Sequence, residues 1–138
     1  MEKEINIDEI LDQVMRLEVG QPLDEAIGLE VFKLKKNNIL LDVKDVFSGK
    51  VVGQSNWTTA DGTPIFIPKF STVPFVGCLM IEDLDAIITI ERKKKGTYGA
   101  KFGGHEGSNV FIEAATFPEA IARAALFEAF FKKAKEDI

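Results

Sequence analysis

From Thr97 onward the apolar positions change period. Tyr98, Ala100 and Phe102 alternate with Gly99, Lys101 and Gly103, the period of a half-buried strand. Gly103-Gly104-His105-Glu106-Gly107 follows as a hairpin loop, its glycines tolerating the positive φ of a tight turn. Val110 and Ile112 alternate with Phe111 and Glu113 and predict a second strand, antiparallel to the first. Helical spacing then takes over. Thr116-Phe117-Pro118-Glu119 opens a helix, with a cap at Thr116 or Phe117 and Pro118 where a missing N–H costs nothing. It runs to about Lys135 with Ala120, Ile121, Ala124, Phe127, Phe130 and Phe131 on a wide apolar face.

The first third also reads as helical. Asn6 caps a helix with Glu9 three residues on, and Ile7, Ile10, Leu11, Val14 and Leu17 keep its spacing up to Gly20. Pro22 opens a second helix, where Asp24 and Glu25 suit the positive end of the dipole. Leu23, Ala26, Ile27, Val31 and Leu34 form its stripe, and Gly28 inside it points to close packing. Lys35 to Asn38 reads as a turn, and Ile39 to Val43 as a short strand. Residues 44 to 76 are the least regular part, punctuated by Gly49, Gly53, Gly62, Pro64, Pro68 and Pro74; such a segment is usually functional or mobile. Met80 to Lys95 is ambiguous. Its β-branched run Ile87-Ile88-Thr89-Ile90 suits a strand. Acids at Glu82, Asp83 and Asp85, bases from Arg92 to Lys95 and a stop at Gly96 favour a helix, the reading adopted. The predicted order, α-α-β-(irregular)-α-β-β-α, implies an α+β layered fold with a small, mostly antiparallel sheet.

Length adds that the 138 residues form a single domain, 1–138, with one core. Eleven Phe against one Trp and one Tyr predict that phenylalanine fills it. The net charge of −5 is mixed along the chain and lacks the basic face of a nonspecific nucleic-acid binder. No apolar run approaches the roughly 20 residues of a membrane span. The charged start Met1-Glu2-Lys3-Glu4 carries no secretion signal, and the lone Cys78 forms no internal disulfide; both fit a cytoplasmic setting.

Recognisable chemistry is sparse. One histidine, one cysteine and no close carboxylate–histidine spacing predict no metal site and no cofactor. There is no P-loop and no nucleophile elbow, so no catalytic residue is assigned and the protein is read as a non-enzyme. Six residues stand as candidates for ligand binding: Trp57, Lys69, Ser71, Thr72, His105 and Arg123. Each has a structural alternative. Arg123 falls inside the apolar arc of the last helix, as either a paired or snorkelling arginine or an anion ligand. Trp57 either plugs the core edge or stacks on a base. Lys69, Ser71 and Thr72 offer a cation and two hydroxyls, or simply a self-satisfied turn. His105 is a solvated loop residue, or touches a ligand or partner subunit. Arg92 to Lys95 is a helix end, or a phosphate-receiving patch.

Three segments carry a family resemblance. Gly20-Gln21-Pro22-Leu23-Asp24-Glu25-Ala26-Ile27-Gly28-Leu29-Glu30-Val31 resembles the opening of the phage ABA-sandwich domain family. Pro68-Lys69-Phe70-Ser71-Thr72 is similar to that family's Pro-x-Tyr-Ser-Thr, and Thr116-Phe117-Pro118 with Arg123-Ala124-Ala125-Leu126 is similar to its closing segment. The related phage NinX-like proteins show a Ser-Thr-x-Trp segment for which Trp57 is a displaced counterpart. The departures are Lys33-Leu34 in place of a Gly-Trp, and Val73 in place of the Asp after Ser-Thr. The resemblance implies a layered α-β-α sandwich and a phage or prophage origin, with no established catalysis. At the level of class it implies an accessory binding protein, a counter-defence protein that sequesters a small anionic, nucleotide-type signal in a homo-oligomer in the bacterial cytoplasm. The alternatives are an inhibitor or adaptor acting on a host protein and, more weakly, a small nucleotide hydrolase.

Overall fold

The computed structural model describes residues 4–84, 87–103 and 107–137. The elements run α1 (Ile7–Arg16), α2 (Gln21–Glu30), β1 (Lys35–Lys44), β2 (Val51–Thr58), β3 (Pro64–Ile65), α3 (Pro74–Asp83), β4 (Ile87–Lys94), β5 (Thr97–Gly103), β6 (Ile112–Ala114) and α4 (Phe117–Glu136). The fold is α+β, as the pattern predicts. Its strands divide between two antiparallel three-stranded sheets, β1-β2-β3 and β4-β5-β6.

The long closing helix organises the core. Thr116 caps α4 by accepting the Glu119 amide at 3.3 Å, and Pro118 lies in its first turn. The sequence assigns α4 one apolar face, but every residue from Ala120 to Glu128 is buried. A helix buried all round is central rather than peripheral. It touches α1, α2, α3, β5 and β6. α3 packs directly on its first turn: at Gly77, an added Cβ would lie 3.5 Å from the Pro118 backbone. Ala100 and Phe102 of β5 and Ile112 of β6 are buried against this helix, as their alternation predicts.

Three sequence readings are corrected. Residues 80 to 95 are not one helix: α3 begins earlier, at Pro74, ends at Asp83, and is followed by strand β4. The β-branched run decides the outcome, because Ile88 and Ile90 pair across to Phe102 and Ala100 of β5. Of the charges taken for a helix dipole, Glu82 and Asp83 end α3, Asp85 lies outside the described residues, and Arg92, Lys93 and Lys94 lie along the outer strand of that sheet, where they discourage further pairing. Gly96, at φ 82°, turns the β4–β5 hairpin rather than stopping a helix. Second, the stretch from 44 to 76 is not irregular throughout, since β2 and β3 lie within it. Polar Gln54, Ser55 and Asn56 hide the alternation of β2. Third, the predicted turn at 35–38 belongs to β1. Asn37 donates its amide to the Asn56 carbonyl (3.3 Å) and the Thr58 hydroxyl (3.1 Å), and a bulge shifts the register between Lys36 and Leu41. The hairpin loop at 104–106 lies outside the described residues.

Truncating Phe127, fully enclosed in α4, is expected to cost about 3–5 kcal/mol, read from the urea midpoint. Thr116→Ala removes only the cap and costs about 1 kcal/mol.

Candidate functional site

A buried serine ties two distant stretches together. Gly20, at φ +106°, begins α2 in a conformation that a side chain would strain. Its amide donates to the Ser71 hydroxyl at 3.0 Å. The Ser71 amide in turn donates to the Asp24 carboxylate at 2.8 Å. Ser71 and Asp24 are both buried. Beside them Phe70 stacks on Phe32, with ring centroids 5.1 Å apart. The segment from Pro68 to Val73 is thereby fixed against α2, and Lys69 and Thr72, flanking Ser71, reach the wall of a cleft.

The cleft encloses about 660 Å³ between the start of α2 and the β1-β2-β3 sheet. Lys69, Thr72 and Trp57 all line it, with Ser71 directly behind. Trp57 is only 4% exposed, and Lys36 Nζ stands 5.6 Å from its ring centroid, so its faces are covered. The open aromatic surface is Phe66, which is 49% exposed. It lies on Gly53, where a Cβ would come within 2.7 Å of the ring. Gln54 and Asn56 add amides to the same wall.

The cleft's charges are balanced but unequally engaged. Glu25 takes a hydrogen bond from Gln21 (3.2 Å) and lies 3.9 Å from Lys36. Lys69 makes no ion pair among the described residues. Burial pushes the Asp24 carboxyl above its ordinary value of 3.8, against the opposing pull of the Ser71 hydroxyl and amide and of nearby Lys69.

The remaining candidates lie elsewhere. Arg123 is 5% exposed and does not line the cleft. Its Nε donates to Glu119 at 2.8 Å, and its Nη1 donates to the Val14 carbonyl at 2.8 Å. It thus satisfies one of the four carbonyls left unpaired at the end of α1. His105 lies outside the described residues. Arg92 and Lys93 lie on β4, with Lys93 paired to Glu113. Sequence reasoning overlooked Asp24, Lys36 and Phe66 as site residues. Asp24 was read as a dipole partner and Lys36 as a turn. For Phe66 the nearest signal was the apolar island Ile65-Phe66-Ile67 inside a polar stretch. Among the described residues, no three His, Cys, Asp or Glu side chains gather closely enough to hold a metal ion, and no helix is long and apolar enough to cross a membrane.

No family model and no curated protein matches the chain. Among solved structures, it is similar to a 2.0 Å crystal structure of a phage protein from Bacillus cereus ATCC 14579, with a TM-score of 0.51 and 15% identity. The alignment covers 100% of this chain and 94% of that one. At this identity the likeness establishes a shared fold, that of a phage protein.

Two outcomes follow from the geometry. A carboxyl raised by burial costs nothing while protonated and its full penalty once ionised, so stability falls as pH rises from 3.8 through the folded-state value. Asp24→Asn keeps an acceptor for the Ser71 amide, and urea unfolding across the acidic range is expected to show a shallower decline. Arg123→Ala strands Glu119 and the Val14 carbonyl; it is expected to cost about 3 kcal/mol while ligand uptake by the folded protein is unchanged.

Proposed function

We propose that the protein is a phage or prophage accessory binding protein that holds a small anionic, nucleotide-type ligand in the α2/β1-β2-β3 cleft without altering it. The observation that carries this reading is the meeting of Lys69, which makes no ion pair among the described residues, with an open aromatic ring in one cleft. A cation at one wall suits a phosphate. Phe66 offers a face on which a base can stack, and Gln54 and Asn56 offer donors and acceptors for its edge. The supporting groups are preorganised, since Ser71 holds the Lys69–Thr72 segment before any ligand arrives. The fold likeness to a phage protein supports the phage setting. Sequestration of a host signalling nucleotide, as a counter-defence device in the bacterial cytoplasm, is the biological role this reading assigns. The protein works as one domain, needs no cofactor and performs no hydrolysis.

The test is to incubate the protein with cyclic and ADP-ribose-type nucleotides, remove free ligand, and heat-denature what remains. Release of an intact nucleotide is expected. An altered nucleotide supports a hydrolase instead, and no uptake supports action on a host protein. For the nucleotide retained, Lys69→Ala is expected to weaken binding about tenfold and to flatten its salt dependence. Phe66→Ala is expected to cost about 1–3 kcal/mol of affinity. Calorimetry at two ionic strengths reads both.

A further inference from the structure

The β1–β2 hairpin carries an apolar surface that the core does not use. Its main contacts are within its own sheet and to α2. At its turn Val46 is 92% exposed and Phe47 98% exposed. Ile39, Leu40, Val51 and Val52 are exposed along its strands. Val52 is the extra residue of a bulge between the pairs Val43–Gly53 and Lys44–Val51, next to the turn.

We infer that this hairpin is an arm that joins two copies of the chain, arm against arm. The turn is rigid. The Asp45 amide donates to the Lys50 carbonyl (2.8 Å) and the Gly49 amide to the Asp45 carbonyl (2.9 Å). The Asp45 carboxylate accepts the Phe47 and Ser48 amides at 2.9 and 2.8 Å. Phe47 is therefore presented as a fixed aromatic anchor whose backbone ordering is already complete.

Charge selects the occupant. Within the apolar part of the arm, residues 39–52, Asp42 and Asp45 balance Lys44 and Lys50, so that patch is neutral; Lys35 and Lys36 stand at its base. A nucleic acid or an anionic membrane calls for an excess of bases, which this apolar patch lacks. A second copy meets it without like-charge repulsion, and a two-fold axis brings the same acids and bases into mutual reach. The area also fits. Six side chains at these exposures offer on the order of 700 Å² per copy, against about 800 Å² per partner in a standard interface. A monomer that left this patch uncovered would carry an aggregation liability. The inference does not depend on what the cleft holds.

Light scattering coupled to size exclusion on the full chain at micromolar concentration tests it. The wild type is expected to run at twice the chain mass. Phe47→Asp, and separately Val46→Asp, are expected to run as monomers with unchanged circular dichroism and melting temperature, because neither side chain touches the core. Phe75→Asp alters an exposed aromatic on α3, away from the arm, and is expected to leave the dimer intact. A monomeric wild type overturns the inference, as does a dimer that survives both arm substitutions or dissociates only with Phe75→Asp.

Discussion

The hydrogen bonds of Ser71 are the constraint on which the cleft depends. One residue accepts from Gly20 at the start of α2 and donates to Asp24 one turn later, bridging positions about fifty residues apart in sequence. Buried hydrogen bonds of this kind contribute modestly when made and cost more when one partner is left alone. Asp24 supports the tie at some expense, because its carboxylate is buried. The return is positional: Lys69 and Thr72 are held at the cleft wall by their neighbour rather than by contacts of their own.

Arg123 plays the corresponding part in the core. It interrupts the apolar pattern of α4, and such interruptions often mark function. Here it joins α4 to the end of α1 through the Val14 carbonyl and pairs with Glu119 on its own helix, with Arg123 buried and Glu119 partly so. A pair of this kind adds little net stability over an apolar substitute but penalises any arrangement that breaks it. The two buried polar ties divide the labour: Arg123 fixes helix against helix, and Ser71 fixes the loop that carries the cleft.

Much of this was legible in the sequence. Caps at Asn6 and Thr116, the alternation of β5 and the apolar spacing of α4 are local signals, and local structure obeys them. Trp57, Lys69 and Thr72, each singled out by residue type, line one cleft. Errors arose where a decision is non-local. Residues 87–94 carry both strand propensity and a helix-like order of charge, and only pairing with β5 separates the two. Phe66 was missed because its open face depends on Gly53 in a neighbouring strand, a relation that no spacing along the chain reveals. For Arg123 the sequence leaves a paired arginine and an anion ligand both open, because its partner on α1 is equally remote in sequence.

The central claim is that the cleft beside Ser71 is where ligand binds. Amide chemical-shift mapping by NMR, as a nucleotide retained by the protein is titrated in, tests it most directly. The account predicts changes concentrated at Gly20, Gln54, Asn56, Lys69 and Thr72 and at the Trp57 indole, with the amides around Arg123 unmoved. Changes centred on α4, or confined to the β1–β2 turn, would contradict it.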